Sequence, residues 1–300
     1  MMTPLNSVTA AVPATSANLG PGFDCLGLAL DLWSRVTISL DGAFDGGPDG
    51  GDPMAAMALT AARAFFGRLG EVSDPRLSAR YEGDIPIARG LGASAVARVG
   101  GLMAANALAG DRLDRDGLLA LATELEGHAD NAAPAIFGGL QVSVVDDGRV
   151  LHTGVALPRG LSAVLFVPQL RMPTRESRRL LPASLPRADA VHNISRAALL
   201  VAAMARGRFD LLDAATQDKL HQPARSQLFP AMFDIFAAAK GAGAHCAYLS
   251  GGGSTLCALA TTNQQKIADA MLEAARARQT AGHTIITGPT EKGAEVAAAA

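Results

Sequence analysis

The chain has 300 residues, 49% of them hydrophobic and 18% charged, with a formal net charge of −2. This is enough apolar material for a large core and a length that favours two domains, and the charge balance excludes a basic nucleic-acid binder. Cys25, Cys246 and Cys257 show no metal-ligand spacing and read as small apolar fillers in a reduced compartment. The N-terminal stretch has no basic start leading into a long apolar run. The longest apolar run, residues 197–205, is too short to span a bilayer, so a soluble, cytoplasmic protein with no membrane partner is expected.

In chain order, SVTAAVPA alternates and is β-branched, which predicts a strand running into the loop SANLGPGFDCLG (16–27). Residues 28–40 predict a second strand, 41–53 a loop of Gly, Asp and Pro, and 54–67 a small-residue helix. RLSARYEGDIP reads as a strand and 94–109 as a helix. A helix over about 116–126 stops at Gly127. A short one follows at 132–137, capped by Asp130 or Asn131, with Pro134 in its first turn. GLQVSVVDDGRVLHTGV predicts a hairpin turning at DDG. The second half predicts a strand at 161–167 and helices near 174–181, 189–205, 209–220 and 228–240. After these come apolar strands around SGGGST, a helix at 264–278 and a closing strand HTIITG. Strands and helices mix without strict βαβ alternation, which points to an α+β protein in two domains, 1–155 and 156–300.

Five stretches could carry chemistry. In PIARGLGASA (86–95), two glycines allow a backbone turn against a ligand, and the following helix start offers free N–H groups to anionic oxygens. The same residues would serve as a turn with Ser94 as helix cap. It is neither a Walker loop, which needs a following lysine, nor a dinucleotide fingerprint, which needs a third glycine. The 16–27 loop holds Asn18 and Asp24 on a rigid turn suited to a polar substrate. LEGHADN places Glu126, His128 and Asp130 within five residues at a helix end, where a carboxylate opposes the dipole and a divalent cation would compensate it; a solvated Glu is the even alternative. PTRESRRLLP clusters arginines, most of which read as a solvated face, and LHQPAR carries Arg225 beside a histidine and a proline. The scattered histidines lack zinc spacing, and no nucleophile elbow is present.

Taken in order, SANLGPGFDCLGLAL, PIARGLGASA and YLSGGGST resemble the substrate loop, phosphate loop and late glycine turn of the GHMP kinases. With EGHADNAAPAIFGGLQ, PTRESRRLLP and LHQPAR, the likeness is greatest to the homoserine-phosphorylating branch and runs from about residue 8 to 296. The resemblance implies the two-domain fold of that family, with a ribosomal protein S5 domain 2-like N-terminal part and a ferredoxin-like C-terminal part. It implies ATP and L-homoserine as substrates, Mg²⁺ as cofactor, and a homodimer. Asn18, Asp24, His128, Arg178 and Arg225 would hold homoserine, the two arginines facing its carboxylate. Pro86, Ile87, Ala88, Arg89, Gly90, Leu91, Gly92, Ala93, Ser94 and Ala95 would cradle the ATP phosphates, while Ser94 and Glu126 hold the metal. Asp24 and Asn131 would be catalytic, Asn131 standing where the family has its Asp base and Asp24 orienting the hydroxyl. Ala93 replaces the motif's first serine, Ser254 its late proline, and Ala56 an adenine-contacting asparagine. A sister kinase acting on another small alcohol and a non-catalytic metabolite sensor are the alternatives.

Overall fold

The computed structural model describes residues 6–44, 52–70 and 76–299. Residues 45–51 of the expected glycine-rich loop lie outside them. Strands β1 (Ser7–Ala17) and β2 (Leu26–Ser39) form a long antiparallel hairpin, registered from Ser7 opposite Ser39 to Ala17 opposite Gly27. Its turn is the candidate substrate loop. Along β1 the burial alternates over the first residues and becomes continuous from Val12, because the far end of the strand is covered on both faces.

Strand β3 (Ser78–Gly83) pairs with β2, and β4 (Leu140–Asp146) and β5 (Arg149–Val155) complete that side of the sheet. Helices α1 (Pro53–Arg68), α2 (Ala93–Leu108), α3 (Arg115–Glu126) and α4 (Ala132–Phe137) belong to the same unit. Helix α2 is buried nearly all round, through Val96, Val99, Leu102, Ala104 and Ala105. A helix apolar on every side sits in the middle of a core, and here that fixes the phosphate-loop end of α2 as well.

The second unit is a four-stranded antiparallel sheet in the order β7 (Cys246–Leu249), β8 (Leu256–Ala260), β6 (Ser162–Pro168), β9 (Gly282–Thr287). Its side chains part by strand alternation. Val164 and Phe166 pack with Met232, Ile235 and Phe236 of α9 (Met232–Gly241) and Ile267 and Met271 of α10 (Gln264–Ala277). Leu165 and Val167 face the opposite way and join the main core with Leu200 and Met204 of α6 (Arg187–Ala205). The α+β expectation therefore holds.

Three expectations are corrected. The helix expected at 209–220 is only a 3-10 turn, Phe209–Leu211, and α7 (Leu212–Ala215). The Asp218 carboxylate accepts the amides of Leu220, His221 and Gln222 at 2.6–2.9 Å, which ends the helical course and starts α8 (Gln222–Arg225). The helix expected from 228 begins only at Met232, after Pro230. HTIITG is not the closing strand: β10 (Glu295–Ala299) follows and pairs with β1, so the range 156–300 gives its last strand to the first sheet. An alanine-rich pentapeptide carries little strand propensity, and pairing with an open edge determines it instead.

Arg115 ties this tail down, donating to the carbonyl oxygens of Ile136 at 2.8 Å and Ala294 at 3.0 Å. Arg115→Ala is expected to lower unfolding stability by about 2 kcal/mol, read as a drop in the denaturant midpoint. An unchanged midpoint would mean the tail is held without it.

Candidate active site

A cavity of about 580 Å³ opens between the two units. Its walls are the β1–β2 turn, the phosphate loop with the first turn of α2, the end of α3, the 128–131 turn, α5 (Thr174–Arg179), Arg225 and the glycine turn after β7. Backbone contacts lock these walls together. The Thr15 amide donates to Leu91 O at 3.2 Å, Gly251 to Ala17 O at 2.9 Å, and Thr255 to Arg89 O at 2.8 Å. Ser250 Oγ lies 2.6 Å from the Gly90 carbonyl oxygen and 2.8 Å from Ser16 Oγ. A Cβ on Gly90, at φ +78°, would lie 2.1 Å from Ser250 O, so only glycine lets the two loops meet.

Asn18, Asp24, Ile87, Ala88, Arg89, Gly90, Gly92, Ala93, Ser94, Glu126, His128, Asn131, Arg178 and Arg225 all line the cavity. Pro86, Leu91 and Ala95 do not: Leu91 and Ala95 point into the core, as the inward face of a loop packed under a helix requires. Arg89 lines the cavity, but its guanidinium donates at 2.9 Å to both Pro168 O and Gln169 O. It staples the loop to the second unit. Ser94 is not the helix cap; Gly92 is, at φ +70°. The first helical hydrogen bond runs from Val96 N–H to Gly92 O, which leaves the Ala93, Ser94 and Ala95 amides ahead of the ladder. The Ser94 hydroxyl turns instead to Glu126, donating to Oε2 at 3.2 Å. The second Glu126 oxygen accepts from Arg98, a residue the sequence reading did not single out.

In the substrate loop, Asn18 (φ +69°) accepts the Asp24 amide at 3.0 Å and donates to Gly251 O at 2.9 Å. It is a strut that fixes Asp24. Arg178 forks the Asp24 carboxylate with bonds of 2.8 and 2.5 Å. Phe23 meets both arginines, its ring centroid 5.2 Å from the Arg178 guanidinium and 5.5 Å from that of Arg225. Arg225 is 1% exposed. Its Nη1 donates to Gly251 O at 3.0 Å and to His221 Nδ1 at 2.9 Å, while its buried Nε has no hydrogen-bond partner among the described residues. Burial, with Arg178 nearby, pushes the Arg225 pKa down to about 10.

His221 explains that placement. Its Nε2–H donates to Gly20 O at 2.8 Å, so Nδ1 carries the lone pair that accepts from Arg225. Full burial holds this ring neutral, its pKa lowered to about 4. His128 behaves oppositely: burial opposes its charge, yet the Asp130 carboxylate, 2.7 Å from Nδ1, gives a net rise. Asp130 also accepts from Asn131 Nδ2 at 3.1 Å, and Asn131 Oδ1 accepts from Thr15 at 2.8 Å. Asn131 therefore sits at the α4 N-cap position without capping with its side chain. Asp130, Arg175, Met54 and Met57 also line the cavity; Ala56, the expected adenine-side position, does not.

Two α+β units that clamp a glycine-loop helix start over a cleft of paired acids and arginines define a kinase of small molecules. Models of the GHMP kinases N-terminal domain and C-terminal domain match residues 55–139 and 200–277. The chain belongs to the GHMP kinases. It is 46% identical to the homoserine kinase of Moorella thermoacetica, covering 88% of this chain and 90% of that one. The homoserine kinase of Desulfitobacterium hafniense is 37% identical, with 96% and 99% covered. A crystal structure of homoserine kinase from Cytophaga hutchinsonii superposes with a TM-score of 0.86 at 27% identity, over 99% of both chains.

The neutral His221 sets a pH dependence. The unfolded chain takes up the proton near the ordinary value of 6.5, the folded chain only near 4. Stability from this group is therefore full above the higher value and falls as pH drops between them, by up to about 1 kcal/mol per pH unit. In urea titrations at pH 7.5 and 5.0, His221→Gln is expected to lose less stability over that interval than the parent. An equal loss would assign the dependence to other groups.

Proposed function

We propose that this chain is an ATP-dependent homoserine kinase, moving the γ-phosphoryl group of ATP onto the side-chain hydroxyl of L-homoserine in threonine biosynthesis. The observation that carries the reading is the charge pattern of the substrate end. A carboxylate, Asp24, is forked by Arg178, and the buried Arg225 beside it keeps an unsatisfied Nε. A zwitterionic amino acid fits by exchange. Its ammonium replaces Arg178 on Asp24, and its carboxylate replaces Asp24 on Arg178 while taking up Arg225. His128, held by Asp130, adds an imidazole on the same side, its pKa raised by that carboxylate against the effect of burial. The side-chain hydroxyl is then directed toward the phosphate loop, with Asn131 between the two.

At the nucleotide end, the Ala93, Ser94 and Ala95 amides and the positive end of α2 face the phosphates, and Ala93 needs only its N–H for this. Met54 and Met57 offer an apolar wall for the base. The donors near Ser94 fit Mg²⁺: one carboxylate and one hydroxyl, both hard oxygens, with no cluster of three or more His, Cys, Asp or Glu among the described residues. Mg²⁺ is commonly bound this way, through one or two carboxylates plus substrate phosphates and water. When bound by Glu126 and Ser94, it would neutralise charge on the phosphates during transfer.

The transfer forms a bond between the homoserine oxygen and the γ-phosphorus and breaks the bond from that phosphorus to the β–γ bridging oxygen. The hydroxyl proton leaves with the phosphoryl oxygens as acceptor. Each cavity carboxylate is already engaged: Asp24 by Arg178, Asp130 by His128 and Asn131, Glu126 by Ser94 and Arg98. This supports orientation by Asp24 and Asn131 rather than strong-base catalysis, with positioning and charge neutralisation supplying the rate. A substrate without an ammonium, such as mevalonate, gives Asp24 nothing in exchange for Arg178. The proposal includes a cytoplasmic homodimer; no helix among the described residues is long and apolar enough to cross a membrane.

An assay of ADP release with L-homoserine, L-serine and mevalonate is expected to show turnover with homoserine well above the other two. Absence of turnover with homoserine would overturn the proposal, and binding without turnover would favour a sensor. Arg225→Ala is expected to raise the homoserine KM at least about tenfold, as loss of a charge-assisted contact predicts, with a smaller change in kcat. An unchanged KM would remove Arg225 from the substrate site.

A further inference from the structure

Glu126 ends α3, where the last-turn carbonyls oppose a negative charge, and its side chain is only 7% exposed. A carboxylate in such a place needs a counter-charge. Arg98 supplies one. It lies four residues after Ser94 on α2, so both side chains leave the same helix face, and both reach Glu126: Ser94 on Oε2, Arg98 on Oε1. His128 is also near enough for the Glu126 charge to raise its pKa slightly. Arg98 also lines the cavity, together with Ala93, Ser94, Met54 and Met57. Its side chain therefore borders the cavity while its guanidinium holds one of the assigned metal ligands.

We propose that Arg98 is a positioning residue that shares Glu126 with the divalent cation. It holds the carboxylate against Ser94, yields it when the cation arrives, and then turns its charge to the nucleotide phosphates. The inference rests on the reading that Glu126 binds the metal. Ser94 meets Oε2 and Arg98 meets Oε1, so a divalent cation joining Ser94 on this carboxylate would sit only a few ångströms from the guanidinium; the two repel, and either the guanidinium leaves Oε1 or the metal binds more weakly. A guanidinium that leaves has phosphate oxygens as its nearest anionic partners, and its planar fork suits them. Removing Arg98 should therefore shift two affinities in opposite directions: tighter metal, weaker ATP. Loss of a merely structural residue would not split them that way.

The test uses Arg98→Met, with Arg98→Lys as the charge-retaining variant, and reads Mn²⁺ binding by the free-ion EPR signal in the absence of nucleotide. Arg98→Met is expected to bind Mn²⁺ roughly five- to tenfold more tightly than the parent, as removal of a partly buried competing ion pair predicts. It should also raise the ATP KM, with Arg98→Lys intermediate in both. In thermal melts, Arg98→Met should lie below the parent in EDTA and recover with MgCl2, while Arg98→Met/Glu126→Gln should be insensitive to MgCl2. Should Arg98→Met not fold, the Arg98→Lys shifts in Mn²⁺ binding and ATP KM decide the matter. Unchanged Mn²⁺ affinity in the Arg98 variants, with binding lost in Glu126→Gln, would overturn the role of Arg98 alone. Full Mn²⁺ binding by Glu126→Gln would overturn the metal assignment, and this inference with it.

Discussion

A guanidinium with almost no exposed surface has to be surrounded by groups that accept its hydrogen bonds and tolerate its charge. Arg225 is such a group, and much of the site is arranged around it. His221 is kept neutral so that it can accept from the cation rather than repel it, and Gly20 fixes the tautomer that makes this possible. Asp218 gathers three amides and the Asn193 side chain to fold the turn that carries both residues. The Phe23 ring meets the guanidinium groups of both Arg225 and Arg178, and its π face offsets part of the charge of two nearby cations. Among the described residues, the Arg225 Nε keeps no hydrogen-bond partner. In the proposed reading, the carboxylate of the substrate would complete the arrangement.

The same logic of incomplete pairing runs through the cleft. Asp24 and Arg178 satisfy each other but remain about one-third exposed, so a ligand carrying both charges can replace them. Exposed ion pairs contribute little to stability, which makes this one easy to exchange. Glu126 sits at the other end, shared between a hydroxyl and Arg98. The Thr15–Asn131–Asp130–His128 chain of hydrogen bonds fixes the 128–131 turn that forms one wall of the cleft. The second unit contributes the arginines and the 250–254 turn, and its backbone bonds to Ala17, Arg89 and Gly90 keep those groups in register with the first.

Much of the architecture was legible in the residues. Alternation in SVTAAVPA and 28–40 marked the central hairpin, and Gly127 and Pro134 marked the breaks around α3 and α4. The ordered motifs brought Asn18, Asp24, Ser94, Glu126, His128, Arg178 and Arg225 to one cavity. What escaped has a common cause. Arg98 lies inside an alanine-rich helix, where its meaning depends on which carboxylate α3 places opposite it. Phe23 and His221 act through ring positions that only tertiary packing sets, and β10 exists because β1 offers an open edge. The helix expected at 209–220 failed because Asp218 competes for backbone amides, a local signal that periodicity does not weigh. Arg89 and Asn18 line the cavity as the motifs led one to expect, and both also donate to carbonyls across the cleft, a contact motif spacing does not reveal.

The account turns on one chemical event, transfer of a phosphoryl group to the side-chain oxygen of an amino acid held by its two charged groups. Phosphorus NMR of a reaction containing this protein, ATP, Mg²⁺ and L-homoserine reads that event directly. The account predicts a new phosphate-monoester resonance split by the two protons of an adjacent methylene, growing in step with ADP. A spectrum that gains only inorganic phosphate, or an acyl phosphate in place of the monoester, would contradict it.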